Sequence, residues 1–220
     1  MKITRLGHAA VLLEGTKTIL IDPFLTGNPA ASTQPEDLPH IDGVLVTHDH
    51  DDHMGQAIEI AQKNQATLVA IHEIATSSKV IASKITAVGM NIGGTYTFEH
   101  VVKISMTPAV HSATLGDPCG FVVAMDNQNI YHAGDTALFS DMQLIPALFG
   151  KLSVALLPIG GHYTMNVTQA IKAVALLKPE RVIPIHYNTW PLITTDPKVL
   201  QNACKENTVS ILQPGESISL

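Results

Sequence analysis

The sequence predicts an α/β protein of four layers, two stacked sheets with helices outside (αββα). Three observations carry that expectation. Short apolar runs of strand length recur along the chain, many rich in Val and Ile. In the first half these runs alternate with helix-like stretches, a rhythm that implies parallel pairing with helices on the sheet face. Several apolar runs lead into a His or an Asp, namely His53, His111, Asp135 and His186. Residues beyond the carboxyl ends of neighbouring strands converge at one sheet edge, where α/β folds place their sites. A run of strands followed by a helix occurs once in each half, which suits two sheets better than one doubly wound sheet.

Taken in order, residues 2–6, 10–13 and 18–21 read as strands, with Glu14-Gly15-Thr16-Lys17 as a hairpin turn. Asp22-Pro23 ends the third, and a Pro/Ser/Thr/Asp-rich loop runs to Pro39. Residues 41–46 form the next strand. Residues 55–64 carry apolar positions at helical spacing, 67–71 read as a strand, 72–83 as a helix and 85–88 as a strand. Residues 96–98 and 101–106 are strands that pair after the turn at Gly93-Gly94. Residues 120–125 and 130–133 make a hairpin through Asp126-Asn127-Gln128-Asn129. Strands over 154–157 and 181–185 flank an amphipathic helix over Val167–Leu177, and a last helix covers 197–207.

Composition narrows the function. The chain has 220 residues, 45% hydrophobic and 15% charged, which suits a buried α/β core and excludes disorder. We read residues 1–220 as a single domain. The net charge of −6 argues against a nucleic-acid surface and for a small-molecule substrate. Self-association into a homo-oligomer is left open. No stretch approaches the ~20 apolar residues of a membrane span. The N-terminus has no long apolar segment of the kind that directs export, so a cytoplasmic location is expected. Cys119 and Cys204 are too far apart for a metal knuckle and read as buried thiols or bystanders.

The chemistry concentrates in Thr47-His48-Asp49-His50-Asp51-Asp52-His53, which follows the apolar run Val44-Leu45-Val46. In extended backbone His48 and His50 point the same way. Imidazole nitrogen and carboxylate oxygen are ligands for Zn²⁺ and similar divalent ions. This His-x-His-x-Asp-His run, followed in order by His111, Asp135 and His186, resembles the signature of the metallo-β-lactamase superfamily along nearly the whole chain. Leu6-Gly7-His8-Ala9, Asp22 to Pro29 and Pro184-Ile185-His186-Tyr187-Asn188-Thr189 are similar to a subgroup of metal-dependent hydrolases related to the L-ascorbate-6-phosphate lactonase branch.

The resemblance implies the metallo-β-lactamase fold and two metal sites. His48, His50 and His111 would hold one ion, Asp52, His53 and His186 a second, and Asp135 would bridge them. The ions would be zinc, although manganese, iron or nickel also suit such ligands. The implied chemistry is attack by a bridging hydroxide on a lactone, ester or phosphodiester, with Asp52 and Asp135 as the catalytic carboxylates. His8, His162 and Asn188 are the candidate substrate contacts, His162 because it follows Gly160-Gly161 at a strand end. His40, His72, His100 and His132 have no partner spacing and read as surface or hydrogen-bonded core residues. Asp49 and Asp51 read as loop carboxylates.

The chain departs from the subgroup at His162, at Asn166 and at Ala113, none of them ligand positions; these changes bear on the substrate pocket. Four other readings compete with this one. A phosphodiesterase or nuclease is opposed by the acidic charge. A non-catalytic metal-stabilised scaffold, or a mononuclear iron oxygenase on the same fold, would show a depleted ligand set, whereas every expected ligand type is present. A β-lactamase role is disfavoured by the absence of an export signal.

Overall fold

The structure is a computed structural model and describes residues 1–204 and 208–220. Along the chain, β1 (Lys2–Gly7), β2 (Ala10–Glu14) and β3 (Thr18–Ile21) form a meander. β4 (Gly43–Leu45) leads into the short α1 (Asp51–Met54) and α2 (Ala57–Asn64). β5 (Thr67–Ile71), α3 (His72–Ala75), α4 (Ser78–Ser83) and β6 (Ala87–Met90) follow. The second half holds β7 (Thr95–Phe98), β8 (Val102–Pro108), β9 (Cys119–Met125), β10 (Gln128–His132), α5 (Leu144–Phe149) and β11 (Val154–Pro158). It continues through α6 (Val167–Leu177), β12 (Arg181–Ile185), α7 (Pro197–Ala203) and β13 (Ser217–Ser219).

The strands form two mixed sheets. One has the order β13-β1-β2-β3-β4-β5-β6, the other β12-β11-β10-β9-β8-β7. β3 to β6 are mutually parallel, and helices join β4 to β5 and β5 to β6, as the alternating pattern predicts. Strand alternation explains the layering. In β11, Val154 and Leu156 join a core that contains Ile3, Leu13 and Ile19 of the other sheet. Ala155 and Leu157 turn the other way, into a second core with Ala170, Ala173 and Leu177 of α6. With α2 and α3 against β4 to β6, this is the expected αββα arrangement.

Local differences have local causes. The helix expected over 72–83 breaks into α3 and α4, because Ser77 leaves the helical backbone and its hydroxyl accepts the Val80 N–H. The helix over 55–64 starts at Ala57, since Gly55 ends α1 in a backbone (φ 38°) that other residues rarely adopt. The expected strand over 85–88 is shifted to β6. Residues 205–207, into which the last helix was extended, lie outside the described residues. α5 and β13 were not expected. α5 carries Pro146, and β13 is a three-residue edge strand held by β1. Among the described residues no helix is long and apolar enough to cross a membrane.

Candidate metal centre

β3 and β4 run parallel, so Asp22 and Thr47 emerge side by side beyond their carboxyl ends. The fully buried Asp22 carboxylate accepts the Thr47 N–H (2.8 Å), the Thr47 hydroxyl (2.7 Å) and Nδ1–H of His53 (2.7 Å). That last bond commits the His53 Nδ1–H and turns Nε2 inward, where the ring, once neutral, offers a lone pair. Because the Thr47 hydroxyl gives its proton to Asp22, it accepts from His48 Nδ1 at 3.0 Å. His48 Nε2 therefore also carries a lone pair, and it faces His50 Nδ1 at 3.0 Å. His50 sits just before α1, and Asp52 and His53 ride on that helix's single turn.

Three loops of the second sheet close the site. Beyond β10, Gly134 adopts φ 61° against the Cys119 carbonyl, which an added Cβ would meet at 2.4 Å; only glycine fits there. Asp135 follows. Thr136 ties this loop to the one after β8: its hydroxyl accepts the Val110 N–H at 2.9 Å, and Val110 O accepts the Ala137 N–H at 2.9 Å. His111 is thereby held with Nε2 3.6 Å from Asp135 Oδ2. His186 follows β12, and its N–H donates to His8 O at 3.0 Å. His8 itself is placed by Gly7 (φ 129°), where a Cβ would lie 2.3 Å from Ala30 O.

The ligand atoms of His48, His50 and His111 lie within 4.8 Å of one another, and so do those of Asp52, His53, His186 and His8. Asp135 stands between the groups. Its Oδ1 is 3.3 Å from His53 Nε2, and its Oδ2 is 3.0 Å from His186 Nε2. His8 is an addition to the expected set. Its ring is fully buried, with Nε2 3.1 Å from Asp52 Oδ2 and Nδ1 2.8 Å from Thr189 Oγ1, so both ring nitrogens are already engaged.

The donor set fits divalent ions. His53 Nε2, Asp135 Oδ1 and His186 Nε2 are buried without a hydrogen-bond partner although they face one another. Buried polar atoms that converge unsatisfied want a cation between them. The electrostatics agree. Burial pushes the Asp135 carboxyl up, but His53 and His186 outweigh it and hold it well below the usual carboxylate range. Asp52 is likewise held low against burial by the neighbouring His186 and by its hydrogen bond with His8. Burial lowers His48 to about 3 and His8 to about 4, keeping both neutral. Burial opposes the charged form of His186 too, but Asp135 raises it to about 9.

The groups open into a cavity of about 840 Å³, lined also by Phe24, Tyr163, Trp190, Ser112 and Thr114. Two expected substrate contacts lie elsewhere. Gly161 N–H donates to Met165 O, closing a turn that leaves His162 exposed at its tip. The His162 ring packs edge-on to Tyr163 at 4.5 Å, and it is Tyr163 that lines the cavity. Asn188 Oδ1 accepts the Thr195 N–H at 2.8 Å, closing its own loop, and the residue borders a different cavity. Asp49 accepts the Thr114 N–H, as a loop carboxylate should. Asn166, one of the departures, forms a capping box with Gln169 at the start of α6. Asp22, Phe24 and Trp190 were not singled out. The strand-ending Asp22 and the scarcity of aromatics (5% of the chain) were the available signals.

A sandwich of two mixed sheets with a His/Asp centre on the loops beyond its strands defines the metallo-β-lactamase class, and the family model described as "Beta-lactamase superfamily domain" matches residues 17–187. Within that class the chain belongs to the UPF0173 metal-dependent hydrolase family. It is 50% identical to the member from Thermococcus kodakarensis and 49% identical to that from Pyrococcus furiosus, each match covering 100% of both chains. Among solved structures it is similar to Igni18, described as a metallo hydrolase from Ignicoccus hospitalis. That similarity has a TM-score of 0.90 and 40% identity, covering 99% of this chain and 97% of the other.

Proposed function

We propose that this metal-dependent hydrolase is binuclear and acts on uncharged esters or lactones. The observation that supports this is the position of Asp135, shared between two histidine-rich groups on the floor of one cavity. His48, His50 and His111 would hold one ion and Asp52, His53 and His186 the other, with Asp135 contributing an oxygen to each. Zinc is the first choice by ligand type, with manganese, iron or nickel also suited. When bound, such a pair supplies hydroxide at neutral pH and positive charge opposite a developing oxyanion.

The chain's own residues do the remaining work. Asp22 and His8 orient His53 and Asp52 through hydrogen bonds of 2.7 and 3.1 Å. Phe24, Tyr163 and Trp190 give the substrate an apolar wall and exclude water from the reacting bond. Among the residues lining the cavity none is Lys or Arg, whereas Asp49 and Asp51 stand beside the centre. A polyanion would find no cation there beyond the metals themselves, which favours esters and lactones over nucleic-acid phosphodiesters.

Elemental analysis joined to a panel of lactones, esters and phosphodiesters tests the reading. Two ions per chain are expected, with kcat/KM on aryl esters or lactones at least about tenfold above that on phosphodiesters. A single ion in metal excess would remove the binuclear mechanism. A preference for phosphodiesters would turn the assignment to a phosphodiesterase. A fully loaded protein that turns over nothing on the panel would point to a scaffold.

A further inference from the structure

A second cavity, of about 390 Å³, shares no lining residue with the metal cavity. Arg5 on β1, Tyr187, Asn188 and Lys198 line it, together with Gln213 and Asp196. Arg5 is the unusual member. It is 3% exposed, and no carboxylate among the described residues lies within ion-pair distance of it. One guanidinium nitrogen donates to Leu212 O at 3.2 Å, and the Tyr187 ring covers one face at 4.8 Å. Nε is buried with no partner. A guanidinium carries five donors in a planar fork that matches an oxyanion, and burying one without a counter-charge is costly.

Two of the surrounding side chains, Lys198 and Asn188, add donors. Lys198 is exposed at the rim and makes no ion pair among the described residues. Asn188 turns its carbonyl oxygen onto the Thr195 N–H, which leaves its amide N–H₂ free to donate. Asp196, the one carboxylate in the lining, has Oδ1 engaged by the Lys198 backbone N–H at 3.0 Å. The chain is acidic overall, with 19 acidic against 13 basic residues, so two cations at one cavity are not an expression of general surface charge.

We propose that this cavity binds a small oxyanion, the phosphate or carboxylate group of a small molecule, with Arg5 as the buried anchor and Lys198 at the entrance. The guanidinium fork takes two oxygens, Lys198 a third, and the cavity leaves room for a group attached to the anion.

Isothermal titration of inorganic phosphate and, separately, acetate into the metal-loaded enzyme tests this, with Lys198→Gln and Arg5→Gln alongside. The expected result is saturable binding in the parent protein, weakened at least about tenfold in both variants, with metal content unchanged. Tighter phosphate would mark a phosphoryl site and tighter acetate a carboxylate site. The exposed Lys198 can be replaced without threat to the fold, so failure of Arg5→Gln to fold would leave the Lys198 arm decisive. Phosphate binding equal in Lys198→Gln and parent would place the anion on the metals and overturn the proposal. So would the absence of binding by either anion at millimolar concentration.

Discussion

At the scale of single residues, Asp135 is the group on which the centre converges. Each of its oxygens faces imidazole nitrogens, and Oδ1 has no hydrogen-bond donor of its own. Asp135→Asn keeps the shape but replaces one anionic oxygen with an N–H₂ that cannot coordinate. The expected outcome is weaker binding of both ions, read by elemental analysis after dialysis, with turnover nearly abolished. Loss of one ion with activity retained would reduce Asp135 to a supporting role. A second residue-scale prediction separates neighbours. Tyr163 lines the cavity while His162 points to solvent, so Tyr163→Ala should raise KM several-fold while His162→Ala leaves kinetics unchanged. The reverse pattern would restore His162 to the pocket.

At the scale of elements, α6 starts with a capping box in which Asn166 and Gln169 satisfy each other's backbone N–H groups. Asn166→Ala should cost about 1 kcal/mol in denaturant unfolding, with the metal centre intact. His132 at the end of β10 makes a different tie. Its Nε2–H donates to Ala9 O at 2.9 Å, in the turn between β1 and β2 of the other sheet, and its Nδ1 accepts the Gly134 N–H at 3.1 Å. Both nitrogens are committed in the neutral ring, and burial lowers its pKa below the ordinary histidine value. The unfolded chain therefore takes up a proton below about pH 6.5 while the folded chain does not, so this residue's contribution to stability falls as pH drops through that value. Unfolding measured at pH 7 and pH 5.5 should show a steeper loss in the parent than in His132→Gln. Equal slopes would show that His132 protonates in the native state.

At the scale of the whole molecule, the metal centre joins the two sheets. His48, Asp52 and His53 come from the first, and His111, Asp135 and His186 from loops of the second. Ions bound there would be cross-links between halves that otherwise meet through apolar packing. Chelation should lower the thermal midpoint and be reversed by added metal. A ligand present at a hundred times its dissociation constant stabilises by about 2.7 kcal/mol. An unchanged midpoint on full metal removal would show that the sandwich is held by its core alone.

How far each level was legible in the sequence follows from the range of the forces involved. Val167–Leu177 and Arg181–Ile185 are legible to the residue, because hydrophobic patterning is local: the first buries one helical face and the second is a short apolar run buried on both sides. The His48–His53 run was legible for the same reason: its residues are adjacent, and their types are rare together. The expected donors His111, Asp135 and His186 could be named in order. Only the tertiary structure decided that they meet at Asp135, since contacts across 50 or more residues depend on how two sheets stack. The side-chain directions at His8, His162 and Asn188 were beyond the sequence too. Each is set by a backbone turn or a distant partner: Gly7 against Ala30, Gly161 with Met165, Asn188 with Thr195. The sequence by itself determined the layers and the chemistry of the donors. Tertiary packing decided which of them face one another, because a side chain's direction is fixed by what its neighbours leave open.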